Sequence, residues 1–214
     1  MKKISLFVVL ALISACSSSG ENNGKAERPS VSMFSSVDYT KANYSPLTGK
    51  SKIVQKPTLL KLGIKPLALT EARGYMYLLF ESLIPELEKT NITYQMAGND
   101  ILLTIQSHII LDERMDLLSS ITPQLDNIIA LLVNNDRNFI EIVGHTSSVG
   151  PQWQNQVKSE NMAIAVGKYF MNRGIIPQRV FMAGMGENHW IADNSTREGR
   201  LLNHRIEIKI SPLI

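Results

Sequence analysis

The sequence contains almost no cysteine, few aromatic residues and no large excess of charge of either sign. One of its 214 residues is cysteine, 7% are aromatic, and the formal net charge is +3. One cysteine excludes a disulfide bond within the chain. Two of the basic residues, Lys2 and Lys3, lie in a segment that we expect to be removed, so no basic field indicates nucleic-acid binding. The 44% hydrophobic content is typical of a globular protein.

The motifs of several enzyme classes are also missing. The chain contains no GxSxG turn, no HExxH pair, no phosphate-binding GxxxxGK loop and no cysteine other than Cys16. No second histidine or cysteine lies at metal-ligand spacing from His145. We therefore interpret the protein as non-catalytic, with no cofactor and no metal site.

The longest hydrophobic run is too short to span a membrane. It covers residues 4–13, whereas a spanning helix needs about 20 apolar residues. A basic pair precedes this run and small residues follow it, which is the pattern of a secretory signal peptide. The run ends in Ile13, Ser14, Ala15 and Cys16, which resembles the bacterial lipobox. We predict a signal peptide at residues 1–15 and lipidation of Cys16.

The lipobox resemblance implies a membrane anchor. Cys16 becomes the first residue of the mature chain and carries several acyl chains, each buried methylene of which contributes about 0.8 kcal/mol to membrane binding. Ser17 follows the cysteine, and it is not the aspartate that resembles an inner-membrane retention signal. The outer membrane is therefore the predicted location, with the rest of the chain in the periplasm.

A polar segment follows the anchor. Residues 16–56 are rich in Ser, Asn, Gly, Lys and Pro and show no sustained period, which predicts a flexible tether. About forty residues of coil have a root-mean-square span of roughly 35 Å. A second interpretation stays open, in which residues 31–34 or 38–39 become ordered on a partner.

A helix and a hairpin extension are predicted over residues 57–98. We expect a helix over residues 70–90 with Thr70 as its N-cap and Pro85 kinking its last turns. Its apolar stripe has three- and four-residue spacing and consists of Met76, Leu79, Phe80, Leu83, Ile84 and Leu87. The stripe indicates either packing on the protein's own domain or a helix that binds a partner.

Alternating strands and helices continue to the end of the chain. Strand patterns at residues 92–96 and 101–105 flank a turn, and further strands are predicted at 139–143, 180–183 and 205–210. Helices are predicted from Thr122 and over residues 152–172, the second closed by Gly174. The order β-β-α-β-α-β-β predicts a two-layer α/β sandwich with helices on one face of a mixed sheet.

Ordered motifs in the last third of the chain carry a family resemblance. They are Ile142-Val143-Gly144-His145-Thr146 with Gly150 and Asn155, Gly184-Met185-Gly186-Glu187, Asn194-Ser195-Thr196-Arg197-Glu198-Gly199-Arg200, and Asn203-His204-Arg205-Ile206-Glu207-Ile208. These blocks resemble the GHTD, GxGE, NSTxEGR and NRRVEI segments of the OmpA-like domain. The resemblance covers roughly half of the chain, and we assign residues 99–214 to an OmpA-like domain.

The resemblance implies a ligand, the stem peptide of peptidoglycan. OmpA-like domains hold the zwitterionic end of diaminopimelate with one carboxylate and one guanidinium. The family places these charges at the positions of Ser147 and Met162, and neither residue is charged. Losing two charge-assisted hydrogen bonds costs about 3–6 kcal/mol, on the order of a hundred- to ten-thousand-fold in affinity. Peptidoglycan binding of the usual kind is therefore expected to be weakened or lost.

Other residues match family positions at or near this pocket. The complete candidate pocket is Thr146, Ser147, Gly150, Asn155, Met162, Asn203 and Arg205. Arg205 and Glu207 have an equally good interpretation as strand-end charges that are solvated or paired with each other. Trp153 and Trp190 line a recognition surface, or else cover the sheet edge or the pocket mouth.

Two functions are compatible with these features. The first is an envelope tether, lipid-anchored in the outer membrane with its domain on the cell wall. The alternative is a scaffold subunit of a multi-protein secretion system, because the lipobox, short tether and altered pocket together resemble the outer-membrane lipoproteins of type IVB secretion systems. Its partners in that case are other envelope or secretion-system proteins.

Overall fold

The computed structural model describes residues 44–45 and 50–214. The predicted signal peptide, Cys16 and most of the predicted tether lie outside these residues. Among the described helices, none has both the length and the apolar composition needed to cross a membrane.

The described residues form seven strands and six helices. The strands are β1 (Tyr44–Ser45), β2 (Lys50–Ser51), β3 (Thr93–Ala97), β4 (Asp100–Gln106), β5 (Asn138–His145), β6 (Val180–Gly184) and β7 (Arg205–Pro212). The helices are α1 (Lys52–Lys61), α2 (Leu69–Leu87), α3 (Ser107–Ile110), α4 (Thr122–Asn134), α5 (Gln152–Asn172) and α6 (Arg197–Asn203). A 3-10 turn covers Pro177–Arg179.

Five strands form one mixed sheet. Their order is β3-β4-β7-β5-β6, with β5 and β6 parallel and every other neighbouring pair antiparallel, while β1 and β2 form a separate antiparallel pair. The last strand, β7, lies in the centre, where Ile208 is in register with Leu103 of β4 and Ile142 of β5. The predicted α/β fold class with a mixed sheet is confirmed.

The two faces of the sheet follow from strand geometry, since successive side chains point to opposite sides. On β5, Ile140 and Ile142 belong to the large core that contains α2, α4 and α5. Phe139 points the other way into a smaller cluster with Leu59 and Phe181. Both faces of the sheet are therefore covered.

The apolar stripe of α2 packs on the protein's own domain. Met76, Leu79, Leu83 and Leu87 are buried in the large core, and fully burying such a side chain stabilises the fold by about 1.5–3 kcal/mol. The packing interpretation of this helix is thus confirmed. The predicted cap is wrong, because the helix begins at Leu69 after Ala68, whose backbone N–H donates to the Glu71 carboxylate at 3.3 Å.

The other predicted helices bury the expected faces. The buried residues of α4 are Leu125, Ile128, Ile129 and Leu132, and those of α5 include Ala163, Val166, Gly167 and Phe170. Gly174 has a φ of 105°, a left-handed conformation that glycine adopts without a steric cost. It therefore ends α5 as predicted.

Helix α1 is a difference from the sequence-based expectation. It begins at Lys52, inside the segment predicted as tether, and it covers the sheet face opposite α2, α4 and α5. Lys52 forms a salt bridge with Glu141 of β5, and Leu59 is buried against Phe139 and Phe181. These contacts hold α1 against the sheet. Three short elements, α3, α6 and the 3-10 turn, were also absent from the prediction.

Candidate functional site

The candidate pocket lies where β5 ends and the chain turns towards α5. The Thr146 backbone N–H donates to the Gly186 carbonyl at 2.9 Å, which ties this turn to the loop after β6. Gly150 has a φ of 94°, a conformation that L side chains rarely adopt. The glycine of the family motif is therefore required by the backbone of the turn.

Helix α5 approaches the strand ends very closely. A Cβ added to Gly144 lies 2.1 Å from the Ser159 carbonyl oxygen, so only glycine fits at this position without a shift of the helix. The Ser159 hydroxyl accepts a hydrogen bond from the Gly186 N–H at 2.8 Å and donates to the Gln156 carbonyl at 2.8 Å. Helix, strand end and loop thus form one tightly packed unit.

Ser147 and Met162 both lie inside the protein. Each side chain is 1% exposed, and Met162 packs in the large core while also lining a cavity of about 290 Å³. A thioether therefore forms part of the cavity wall where the family resemblance implies a guanidinium. The arrangement offers no ion pair to a zwitterionic ligand at these two positions.

Asn155 connects the first turn of α5 to the loop after β6. Its amide donates to the Glu187 carboxylate at 2.5 Å, and the neighbouring Gln156 amide donates to the Gly184 carbonyl at 2.8 Å. Asn155 is buried. The described contacts of Asn155 position the loop.

Asn203 holds the loop before α6. Its side-chain oxygen accepts hydrogen bonds from the backbone N–H groups of Ile191 and Ala192 at 2.8 and 3.0 Å, and its amide donates to the Ala192 carbonyl and the Asn194 side chain at 2.8 and 2.9 Å. Both ends of the amide are therefore used inside the protein. This bonding leaves Asn203 little capacity for a ligand.

Arg205 and Glu207 are paired with each other. The Arg205 Nε donates to the Glu207 carboxylate at 2.8 Å, and both residues are almost completely buried. The imidazole Nε2 of His145 lies 3.7 Å from the other carboxylate oxygen of Glu207. Of the two interpretations of this arginine, the structure favours the paired one. Removal of either Arg205 or Glu207 would leave the other buried charge unpaired, which destabilises a fold strongly.

The buried environment shifts both titratable groups of this cluster. Burial lowers the pKa of His145 to about 4, and Glu207 only partly opposes this effect. For Glu207, burial acts to raise the pKa, but His145 and Arg205 outweigh it and hold the pKa at about 2. Glu207 is therefore ionised and His145 neutral at neutral pH.

Several of the polar atoms in this cluster have no hydrogen-bond partner within the described chain. They are both ring nitrogens of His145, the Thr146 hydroxyl and the Nη2 of Arg205. Because His145 and Arg205 are register partners on β5 and β7, these atoms come from adjacent backbone positions. The seven predicted pocket residues are therefore not one pocket: they divide into a turn, a set of loop contacts, a buried ionic cluster and Met162, which lies in the core.

The cavity beside Met162 has charged residues that the sequence analysis did not assign to a site. Lys158 lies one helical turn before Met162 on α5, and Asp112 and Glu113 line the same cavity from the loop after α3. A cavity with an ammonium and two carboxylates can hold a small group that carries both charges. The sequence did contain a signal for Lys158, because residues at i and i+4 such as Lys158 and Met162 lie on the same face of a helix.

The loop that carries these carboxylates has a defined conformation. The Asp112 carboxylate accepts hydrogen bonds from the backbone N–H groups of Arg114 and Asp116 at 2.8 and 2.9 Å. Met115 has a φ of 66°, a left-handed conformation that no other non-glycine residue among those described adopts. Such a backbone costs about 1–3 kcal/mol and persists only where neighbouring contacts enforce it.

The two tryptophans of the chain are exposed. Trp153 in the first turn of α5 is 67% exposed, and Trp190 in the loop after β6 is 61% exposed. Exposed aromatic rings of this size favour the recognition-surface interpretation over a covering role. Within the part of the chain that the structure describes, no group of histidine, cysteine and acidic residues is arranged to hold a metal ion.

The fold and the site together define an α/β domain with a mixed sheet and a cavity between α5 and the segment that contains α3. The model of the OmpA family matches residues 112–204. Over these residues the chain is similar to OmpA-like domains.

Two curated relatives and one solved structure illustrate the similarity. Outer membrane protein A of Bordetella avium is 41% identical over 75 residues, which cover 35% of this chain and 39% of the relative. The probable lipoprotein YiaD of Escherichia coli K12 is 26% identical over 140 residues, which cover 65% of this chain and 64% of the relative. The chain therefore matches less than two thirds of either relative.

The structural similarity concerns the fold. The cell wall anchor of the type VI secretion system from Pseudomonas aeruginosa superposes with a TM-score of 0.55 at 19% identity, covering 63% of this chain and 96% of that structure. The same α/β architecture is thus present in a protein with a very different sequence.

Proposed function

We propose that the protein is a non-catalytic outer-membrane lipoprotein that tethers its periplasmic OmpA-like domain to the cell envelope. Cys16 carries the acyl chains, and the domain contacts peptidoglycan only weakly compared with relatives that have the usual charge pair. YiaD and the Pseudomonas aeruginosa protein YfiB, both named as lipoproteins, support the anchor.

One observation carries the proposal of weakened binding. Ser147 and Met162 occupy the two positions where the family resemblance requires opposite charges, and both are buried in an otherwise complete fold. The scaffold of the pocket is retained because Gly144, Gly150 and Asn155 make the contacts that shape it. The domain therefore keeps the shape of the pocket and lacks its main electrostatic recognition.

Sedimentation with insoluble peptidoglycan tests this proposal. The full-length lipoprotein, purified in detergent, is mixed with increasing amounts of sacculi beside an OmpA-like protein that contains both charges. We expect half-maximal pelleting at a hundredfold or higher sacculus concentration than the reference needs, in proportion to about 3–6 kcal/mol of lost interaction. Pelleting equal to that of the reference would contradict the weakened pocket.

A scaffold role in a secretion system is the second candidate function. A specific feature favours it, namely two exposed leucines of α2, Leu69 at its start and Leu78 in its middle, which are 75% and 71% exposed. Tyr77 beside Leu78 is 54% exposed, and neighbouring exposed apolar side chains mark protein interfaces. The similar solved structure is described as the anchor of a secretion system, so this fold serves such an assembly in that protein.

Detergent pull-down distinguishes the two functions. A tagged lipoprotein in a secretion scaffold recovers stoichiometric partners, and the substitutions Leu69→Ser and Leu78→Ser release them. Recovery of the protein alone from both wild type and variant membranes contradicts the scaffold role and leaves the tether.

A further inference from the structure

Charge is distributed unevenly along the chain. Residues 39–70 contain six lysines and no acidic residue, whereas residues 71–214 contain 12 basic and 16 acidic residues and have a formal net charge of −4. Such a charge asymmetry between two parts of one chain indicates contact with a polyanion or a membrane surface. The basic segment includes α1, and in the sequence it lies between the predicted lipid anchor and the five-stranded sheet.

Three lysines of this segment are available to a partner. Lys52 is paired with Glu141. By contrast, the side chains of Lys56, Lys61 and Lys65 form no hydrogen bond and no ion pair among the described residues, and Lys61 and Lys65 are exposed. Their positive charges are therefore not compensated by a contact within the described part of the chain.

Two exposed leucines flank Lys61. Leu60 is 50% exposed and Leu62 is 57% exposed, although the preceding Leu59 is fully buried against the sheet. Single exposed leucines are common in proteins, but leucines next to lysines are typical of segments that lie in a membrane interface. There the apolar side chains enter the boundary of the acyl chains while the lysine ammonium groups reach the headgroups.

The backbone that carries these residues is held in place. Gly63 has a φ of 86°, and the Ile64 N–H donates to the Leu59 carbonyl at 3.0 Å, so α1 ends in a tight turn. The Arg137 Nε donates to the Lys65 carbonyl at 3.0 Å, which fixes the segment after this turn. Binding to a partner therefore requires little ordering of the backbone, which lowers its entropic cost.

We propose that the surface formed by Lys56, Leu60, Lys61, Leu62 and Lys65 docks on a bilayer that contains anionic phospholipid headgroups. We call it the α1 surface. Its lysines complement anionic headgroups, and its leucines supply the apolar side chains that enter the interface. A second copy of the same surface is a poor partner, because two sets of lysines would repel each other.

The inference rests on the proposed function, because the acyl chains on Cys16 keep the membrane within reach of the domain. Docking is then an intramolecular step with a high effective concentration of membrane, so a surface with weak affinity for free vesicles is sufficient. The domain of an anchored molecule therefore has a membrane-bound position in addition to the position in which it contacts the cell wall.

Fluorescence of the full-length lipoprotein in reconstituted vesicles tests this inference. Cys16 is the only cysteine and is acylated in the proposed function, so an introduced cysteine is the single free thiol. An environment-sensitive dye is attached at Leu62→Cys, or at Leu78→Cys of α2, a matched position that is 71% exposed. The vesicles are phosphatidylcholine with about 30% phosphatidylglycerol, and nitroxide-labelled lipid quenches any dye that enters the bilayer interface.

We expect about threefold more quenching at position 62 than at position 78. Vesicles of phosphatidylcholine alone should reduce quenching at position 62 to the level of position 78, because they lack the anionic headgroups that the lysines contact. Raising the salt concentration to about 0.5 M should act in the same direction by screening these charges.

Charge reversal tests the lysines directly. Lys61→Glu combined with Lys65→Glu in the Leu62→Cys background should abolish the excess quenching, since each lysine near an anionic surface contributes roughly fivefold to binding. The matched control combines Lys158→Glu with Lys168→Glu, which makes the same change at two exposed lysines of α5, on the opposite face of the sheet. It should leave quenching at position 62 unchanged, and urea unfolding checks that both double variants fold.

Three outcomes overturn the inference. The first is equal quenching at positions 62 and 78 in anionic vesicles, and the second is quenching at position 62 that does not depend on lipid charge. The third is a dye at position 62 that is protected from aqueous iodide but not quenched by the lipid, which would assign the α1 surface to a second copy of the chain.

Flotation of the vesicles separates these failures from a failure of the proposed function. If the wild-type lipoprotein floats with the vesicles and its Cys16 does not react with the dye, the anchor stands and only the docking fails. A wild type that does not float, or that takes up the dye, contradicts the anchor and the docking together.

Discussion

Lys52 of α1 forms a salt bridge with Glu141 of β5, on the sheet face opposite the main helices. Glu141 is completely buried, and Lys209 of β7 approaches the same carboxylate oxygen at 3.2 Å. The Lys52 ammonium also lies 5.9 and 5.8 Å from the ring centres of Phe139 and Phe181. Burial lowers the pKa of Lys52, and Glu141 opposes that effect. The Glu141 carboxylate thus joins α1 and β7 to β5.

Replacing Glu141 should destabilise the domain more than replacing Lys52. Glu141→Gln leaves two largely buried ammonium groups without this carboxylate, and we expect a loss of about 2–3 kcal/mol in the free energy of unfolding. Lys52→Met keeps the pair between Lys209 and Glu141, so we expect a loss of about 1 kcal/mol. Urea unfolding of the purified lipoprotein measures both values.

The exposed Lys61 at the end of α1 offers a matched control, Lys61→Met. It removes a lysine from the same helix without affecting Glu141, and the free energy of unfolding should stay within about 0.5 kcal/mol of the wild-type value. Equal losses for Lys52→Met and Glu141→Gln would show that Lys209 does not share the carboxylate.

The sequence predicted those elements whose pattern is local. The stripes of α4 and α5 and the turn glycine Gly174 depend on neighbours a few residues away, and the structure forms them as expected. Helix α1 was missed because its stabilising partner, Glu141, lies 89 residues further along the chain. No local period can reveal such a contact.

In the candidate site, too, the features that depend on local sequence were predicted and those that depend on long-range contacts were not. The family motifs correctly indicated that a loop containing Gly150 follows β5. They could not show that the Asn203 amide would be used up by the loop before α6, or that Lys158 would face Asp112 and Glu113. Those relationships depend on how distant segments pack.

Stability should fall when the pH drops from 7 to 4, because the buried cluster of His145 and Glu207 resists protonation. The pKa of His145 is about 4 in the folded state and near 6.5 in an unfolded chain. Below pH 6.5 the unfolded state therefore binds more protons, which costs about 3 kcal/mol by pH 4. Below about pH 4.5 Glu207, with a folded pKa of about 2, adds a further loss in the same direction.

Unfolding by urea at half-unit pH steps measures this dependence. His145→Gln should reduce the slope of unfolding free energy against pH between 6.5 and 4 without abolishing it, because burial also lowers the pKa of His204 to about 4. His108→Gln removes an exposed imidazole and serves as the comparison. An unchanged slope in His145→Gln would contradict the assignment of this window to His145.

Gly144 of β5 and Gly167 of α5 should differ in how much a substitution by alanine destabilises the domain. A Cβ at Gly144 meets the Ser159 backbone at 2.1 Å, whereas a Cβ at Gly167 meets the end of the Met182 side chain at 2.1 Å. The backbone cannot move without displacing α5, but the methionine can change rotamer. We expect Gly144→Ala to cost more than about 3 kcal/mol and Gly167→Ala about 1–2 kcal/mol. Thermal unfolding of both variants checks the order, and equal costs would contradict the backbone argument.

Restoring the missing charge pair should restore strong peptidoglycan binding. The change combines Ser147→Asp with Met162→Arg, which returns a carboxylate and a guanidinium to the two family positions, of which Met162 lines the cavity. Together they offer two charge-assisted hydrogen bonds, and we expect about a hundredfold gain in sacculus affinity or more. The nearby Lys158 repels the new guanidinium only slightly, by about 0.2–0.5 kcal/mol.

Each single substitution should change binding less than about threefold, because one buried charge without its counterpart is desolvated and contacts only half of the ligand. The double variant should therefore exceed the sum of the singles, as expected for groups that share one ligand. Unfolding curves of all three variants separate lost binding from lost folding, since Met162 lies in the core. If the double variant folds normally and sacculus binding stays at the wild-type level, the cavity has another use. The scaffold function then gains support at the expense of the tether.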